Sequence, residues 1–375
     1  MKVALAHDYF FQAGGAERVM EVLHEMYPDA PIYTTVLRRE TLWPRLRDAD
    51  IRTSLLQPLV AMGVPARALL PLYPRAVEAL DLSEFDLVIS NSSAFAKGVI
   101  VRDDACHICY CHTPMRFAWS EEAYTDRERF GPVTRAALRP ILAYMRRWDM
   151  RTRKRAHVYL GNSSAVVRRI QATYGIASEV MHPPVDVTRC YAAPQREDFY
   201  LVVSRLAPYK RIDLAVDAFN ALGKRLVIIG DGPDAKSLAA LAGPTVTLLG
   251  RLPDSAVSRY YATARGFILP GEEDFGITPL EANASGCPAV AFGAGGALDT
   301  VVDGKTGVHF GEASAASLAA AVRRAETRNW DPALLRAHAE RFSEAAFKTR
   351  MQGAIERALH RWSADGARSR QRPAA

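Results

Sequence analysis

The chain has 375 residues, with 48 Lys and Arg against 41 Asp and Glu, a formal net charge of +7, and 49% hydrophobic residues. That length suffices for two ordinary domains, and the composition excludes a disordered or fibrous chain. No apolar run approaches the roughly 20 residues of a membrane-spanning helix. Asp8 interrupts the N-terminal apolar run too early for a secretion signal, so a cytoplasmic location is expected.

The first element, "KVALAHD", reads as a buried strand. "GGAERVMEVLHEMYP" follows as a glycine turn and an amphipathic helix with apolar spacing near 3.6. "FDLVISNSSAFAKGV" and "AHVYLGNSSAVVRRI" echo one another: a strand, then Asn-Ser-Ser, then a helix, with the serines as N-caps. Between them, "DACHICYCHTP" holds Cys106, Cys109 and Cys111 with His107 and His112. A structural zinc site takes four well-placed ligands, usually as two separated pairs, so this crowded apolar stretch reads as a strand with buried thiols. The odd count of five cysteines argues against a disulfide framework.

Residues 135–169 form a basic, helical segment with interleaved Leu, Tyr, Met and Trp. It reads equally as packed helix and as a face for an anionic membrane, and so does the apolar stretch "VPARALLPLYPRAVEAL". No nucleic-acid signature accompanies the charge, and no nucleic-acid partner is expected.

Pro183 and Pro184 open an irregular stretch over residues 181–199 that reads as an interdomain linker. The pattern then restarts with five apolar strand candidates: "FYLVVSRL", "RLVIIGDGP", "TVTLLGRL", "GFILPGEE" and "PAVAFGAGG". Alternation of strand and helix predicts an α/β chain of two doubly wound Rossmann-like domains facing a cleft. The expected bounds are 1–185, 186–345, a C-terminal helix at 346–362 packing back on the first domain, and a disordered polar tail at 363–375.

Loops after strands line the crevice of such sheets. Arg205 and Lys210 follow one strand and open a helix, which makes an anion site. "GEEDFG" ends another strand. "TPLE" has the form of a capping box, with Thr278 at N-cap, Pro279 at N1 and Glu281 at N3. Glu272, Glu273 and Asp274 repel one another and lack such a local role, but carboxylates accept from vicinal hydroxyls. The amides at Phe275, Gly276 and Ile277 can donate to the same ligand. A polyol next to a phosphate fits the set.

"EDFGITPLE" resembles the Glu-x7-Glu motif of the retaining glycosyltransferases of family 4, which have the GT-B fold. "AGGAERV", "YCHTPMRFAW", "VVSRLAPYKRID", "VIIGDGP" and "LGRLPD" resemble the other motifs of that family, in order over residues 1–310. The likeness extends to bacterial mannosyltransferases of polysaccharide assembly. The resemblance makes the first domain the acceptor side and the second the donor side. It implies that Glu273 holds hydroxyls of the donor hexose beside Phe275, Gly276 and Ile277, and that Glu281 accepts the ribose hydroxyls. Arg205 and Lys210 would bind the diphosphate. Gly14 and Gly15 would let backbone approach the phosphates and acceptor. His112 would contact the donor sugar, and Arg251 would lie near the base. Asp299 departs from the Glu common at that position.

A nucleotide-sugar donor, GDP- or UDP-linked, and a saccharide or lipid-linked acceptor are therefore expected, with no cofactor and no metal. No carboxylate nucleophile is evident, and the resemblance favours same-face attack over a covalent intermediate. A nucleotide-sugar epimerase of the same architecture and a non-catalytic nucleotide-sugar-binding protein are the alternatives.

Overall fold

The computed structural model describes residues 1–11, 14–119 and 132–370. The chain forms two compact units, Met1–His182 with Phe347–Ala375, and Pro183–Ala346.

The first unit is built on seven parallel strands: β1 (Val3–His7), β2 (Ile32–Thr34), β3 (Ile51–Thr53), β4 (Leu87–Ser92), β5 (Cys106–Cys111), β6 (Val158–Gly161) and β7 (Glu179–Val180). Their order is β3-β2-β1-β4-β5-β6-β7. Alternate side chains go to opposite faces. Leu5, Ile89, Ile108 and Leu160 meet one core, and Ala4, Ala6 and Val88 meet another. Burial on both faces explains why these strands read as continuous apolar runs. Among the described residues, the α-helices of seven residues or more in the first half of the chain are α1 (Gly15–Met26), α2 (Pro132–Thr152) and α3 (Ser164–Tyr174).

The second unit has six parallel strands: β8 (Tyr200–Val203), β9 (Leu226–Ile229), β10 (Val246–Leu248), β11 (Gly266–Leu269), β12 (Ala289–Phe292) and β13 (Gly307–Phe310). Their order is β10-β9-β8-β11-β12-β13. Its α-helices of seven residues or more that begin and end within the unit are α4 (Ile212–Leu222), α5 (Ala235–Leu241), α6 (Asp254–Thr263), α7 (Ile277–Ala284), α8 (Ala315–Glu326) and α9 (Pro332–Glu340). Tyr200, Val202, Ile228, Ile268 and Val290 pack beneath Phe219, Leu318 and Val322 on one face. Leu201, Val227, Phe267, Leu269 and Ala291 fill the other. In both sheets the strand order reverses beside the first strand, between β1 and β4 and between β8 and β11.

Four details depart from the sequence expectations. β13 is a sixth strand, short and interrupted by His309, so its apolar signal is weak. The last helix, α10 (Glu344–Arg370), continues past Trp362 through the stretch expected to be a disordered tail, and residues 371–375 lie outside the described residues. Phe347, Met351 and Ile355 on α10 join the core of the first unit. The Asn-Ser-Ser echo holds only at α3, where the Ser163 hydroxyl accepts from Val166 N at 3.1 Å. After β4 the same tripeptide leads into a short 3-10 turn, Ala96–Gly98, whose amides are held by Asp8 instead. The capping box at α7 is absent as well. Gly276, at φ 90°, is the N-cap, which puts Thr278 and Glu281 inside the helix.

Candidate functional site

In the second unit, the loops after β8 and β11 meet at the point where strand order reverses. Gly271 lets them touch: a Cβ there would lie 2.6 Å from Lys210 O and 2.9 Å from Tyr209 O. Lys210 and Glu273, 63 positions apart, form an ion pair through Nζ and Oε1. Both side chains are mostly buried, and the Lys210 ammonium lies 5.0 Å from the centre of the Tyr209 ring.

Glu273 is held through its backbone. Its carbonyl accepts from Gly296 N at 2.8 Å, beside a parallel bridge to Gly295. A Cβ on Gly296 would lie 2.2 Å from Phe275 Cα, and one on Gly295 would lie 2.3 Å from Glu273 O. These two glycines are therefore required for the β12 loop to cradle the β11 loop. Phe275 is buried, its ring 5.9 Å from that of Phe342, so its side chain anchors the turn. Gly276 ends the turn, and α7 begins at Ile277. The first-turn N–H groups of Ile277 and Thr278 lack an acceptor in a preceding turn, which gives the edge an anion-attracting end.

Arg205 lies exposed on the β8 loop, and Arg251 is exposed after β10. The β8 and β9 turns are pressed together. Gly230 has φ 140°, and a Cβ there would meet Ser204 O at 1.8 Å. Its N–H donates to Gly250 O at 2.9 Å, which brings the β10 turn to the same edge.

Glu281 faces away from the role of cap. Arg189 Nη2 donates to one of its oxygens at 2.8 Å and the Tyr261 hydroxyl to the other at 3.0 Å. Burial, reinforced by Glu281, pushes the Tyr261 hydroxyl well above its ordinary value, so it remains a donor. An ionised carboxylate keeps further acceptor capacity after two such bonds. Arg189 sits in the linker stretch, where nothing in the sequence marked it.

The first unit presents a second cluster at its own reversal point. The Asp8 carboxylate accepts from four successive amides: Ser93 at 2.6 Å, Ala94 at 2.9 Å, Phe95 at 2.7 Å and Ala96 at 2.6 Å. Gly14 caps α1, and its N–H donates to Glu17 at 3.0 Å. Gly15 is the first residue of α1. His112 follows β5, and its Nε2 lies 2.5 Å from Asn91 Oδ1. Burial, and then the neighbouring His7, push His112 down to about 3, so the ring is neutral near pH 7. Asn91, His7, Glu17 and Asp8 carry these contacts, and the sequence marks none of them as a site residue.

The five cysteines are buried free thiols, and burial raises Cys106 to about 11. Among the described residues no group of three or more His, Cys, Asp or Glu is placed to hold a metal ion. No described helix is long and apolar enough to cross a membrane. Arginines of the basic stretch turn partly inward: Arg155 and Arg151 reach Glu78 at 2.8 and 3.5 Å.

Residues 189–349 match the family model for glycosyl transferases group 1, and residues 13–189 match that for glycosyltransferase family 4. The chain belongs to glycosyltransferase family 4. A GDP-mannose-dependent alpha-mannosyltransferase of Mycolicibacterium smegmatis is 43% identical over 108 residues, 28% of this chain and 28% of that protein. A GDP-mannose-dependent alpha-(1-6)-phosphatidylinositol monomannoside mannosyltransferase of the same organism is 31% identical over 188 residues, 40% of this chain and 49% of that one. The chain thus spans less than half the length of these curated relatives. The structure of Anabaena Alr3699/HepE in complex with UDP superposes with a TM-score of 0.70 at 17% identity, covering 95% of this chain and 100% of that one. Sucrose-phosphate synthase from Thermosynechococcus elongatus superposes at 0.73 and 16%, covering 96% and 99%. This family 4 chain has the α/β GT-B fold.

Proposed function

We propose that this chain is a retaining hexosyltransferase that moves mannose from a nucleotide-sugar to a saccharide or lipid-linked acceptor in bacterial surface polysaccharide synthesis. The observation that carries this reading is the Lys210–Glu273 pair across adjoining loops at the strand-order reversal of the second unit. A cation there suits a diphosphate and a carboxylate suits sugar hydroxyls. In this reading Lys210 serves the diphosphate half of the donor and Glu273 the sugar half.

Lys210, exposed Arg205 and the first-turn amides at Ile277 and Thr278 neutralise the leaving diphosphate, whose charge grows as the glycosidic bond breaks. Glu273 orients the hexose beside the turn Phe275–Ile277. Glu281, steadied by Arg189 and Tyr261, accepts ribose hydroxyls, and Arg251 lies toward the base. In the first unit, Gly14, Gly15 and His112 serve the reacting sugar and its acceptor. Same-face attack lets the departing phosphate take the acceptor proton, since no carboxylate is assigned as nucleophile. GDP-mannose is the favoured donor because the mannosyltransferase relatives carry that substrate in their names.

The reading includes a cytoplasmic chain resting on anionic lipid. Exposed Leu55, Met62 and Leu72, with exposed Arg67 and Arg75 nearby in sequence, support that contact.

Incubation with GDP-mannose or UDP-sugars and lipid-linked acceptors tests the reading. The expected result is acceptor-dependent release of nucleoside diphosphate with the anomeric configuration kept. Epimerisation at C2, or binding without transfer, would contradict it.

A further inference from the structure

Asn91 lies on β4 with no exposed surface, opposite His7 on β1 and Tyr110 on β5 in strand register. Its carboxamide is used at both ends. Nδ2 donates to Ala16 O at 2.7 Å and lies 3.2 Å from His7 Nδ1. Oδ1 lies 2.5 Å from His112 Nε2.

These contacts determine where protons sit. The Ala16 carbonyl can only accept, so the amide nitrogen must face it and the amide oxygen must face His112. That oxygen also can only accept, so His112 Nε2 must carry a proton. A neutral ring then has a bare Nδ1. Among the described residues no hydrogen-bond partner meets Nδ1, and it is not one of the fully buried orphan nitrogens. The ring is half-buried and edge-on to Tyr110, with centroids 5.1 Å apart.

We infer that Asn91 is a positioning residue that fixes His112 as the Nε2–H tautomer, leaving Nδ1 as an acceptor for a hydroxyl of the transferred sugar. The inference rests on the glycosyltransferase reading for its substrate, but not for its tautomer. Asn91 also ties His112 to the first turn of α1 through Ala16, so that the glycine-rich loop and the histidine share one support. An imidazolium, by contrast, has no lone pair to offer.

The groups around His112 are His7 from β1, Glu17 from α1 at 3.9 Å from His7 Nε2, Asn91 from β4 and Tyr110 from β5. The Tyr110 hydroxyl donates to Met181 O, and its environment includes Arg350 of α10. Asn91→Asp keeps the side-chain shape and places a carboxylate against Nε2, at the loss of the Nδ2 donor to Ala16 O. That change must raise the affinity of His112 for a second proton.

The test begins with nitrogen-detected NMR of the histidines in the intact, ligand-free chain. The expected signature at pH 7 is a neutral His112 with its proton on Nε2. A proton on Nδ1, or an imidazolium, would overturn the inference. In Asn91→Asp the His112 titration should move up toward neutrality. Its kcat should fall about a hundredfold at pH 6 and recover about tenfold per pH unit as the ring deprotonates, while the wild-type profile stays flat. A purely structural role for Asn91 gives a pH-independent loss instead, which would also overturn the inference. If Asn91→Asp fails to fold, Asn91→Ala replaces it, with an expected fall in kcat of about tenfold and no change in affinity for the bare nucleoside diphosphate. An unchanged kcat would overturn the inference. If the wild-type chain binds no nucleotide at all, the donor reading fails while the tautomer is still measured.

Discussion

The two units share one strand order but treat their reversal points oppositely. After β4, four successive amides that would suit a bound anion are filled by the chain's own Asp8 carboxylate. After β11, α7 has no side-chain cap at Gly276, and the neighbouring loop, which also carries exposed Arg205, brings Lys210 to Glu273. One crevice is closed by internal partners and becomes a rigid support for His112. The other holds the paired charges of Lys210 and Glu273, which the proposed function assigns to a diphosphate and a sugar. On the proposed function, the same topology gives one phosphate site, and side chains at the strand ends decide which unit has it.

The largest effect should come from breaking the closed side. Asp8→Asn removes the charge that holds the four amides, and it should destabilise the chain by about 3 kcal/mol or more, since each hydrogen bond to a charged group contributes roughly 1.5–3 kcal/mol. Chemical denaturation with proteolytic mapping should place the loss in the first unit. Unchanged stability would mean the amides do not depend on Asp8.

Breaking the open side should cost activity before stability. Gly296→Ala drives a Cβ into Phe275, so the β11 loop must shift. Overpacking of this kind costs about 1–3 kcal/mol. Turnover should fall about a hundredfold, because displacement near 1 Å has that effect on reacting geometry. Wild-type kinetics in this variant would show that the β12 loop does not position Glu273.

Acid should also separate the units. Burial holds His107 and His112 at about 3, against 6.5 for an unfolded histidine. Between those values the unfolded chain binds more protons than the native one, so this stability is present above pH 6.5 and is lost as pH falls toward 3. Each histidine removes roughly 1.4 kcal/mol per pH unit in that window. His338 of the second unit is also lowered by burial. Pulse proteolysis across pH should show the first unit opening before the second. Simultaneous opening would contradict the contrast.

Legibility in the sequence followed the range of the interaction. Strand ends, the apolar runs and the cation at Lys210 were visible because each is local. The meeting of Lys210 with Glu273 was not readable from spacing, but both stood out as charges at strand ends. The role of Asp8 was hidden because the amides that donate to its carboxylate begin 85 positions later. Arg189 was hidden in a linker that looked irregular and that packs Val185, Val187 and Cys190 against Leu280 and Phe342. The misread cap at Thr278 has a simple cause: Gly276 reaches a left-handed conformation that places the N-cap two residues earlier.

The smallest effect tests that correction. Thr278→Ala should cost under about 0.5 kcal/mol, whereas removal of a true N-cap costs about 1 kcal/mol. Thermal denaturation of the single variant distinguishes the two.

The most direct measurement of the central claim is calorimetric titration of GDP, UDP and the bare nucleosides into the intact chain and into Lys210→Ala. The expected result is binding of one nucleoside diphosphate, weakened more than tenfold by Lys210→Ala, with affinity for the matching nucleoside unchanged. Equal diphosphate affinity in the two proteins would contradict the assignment of the second unit's strand edge as the phosphate site.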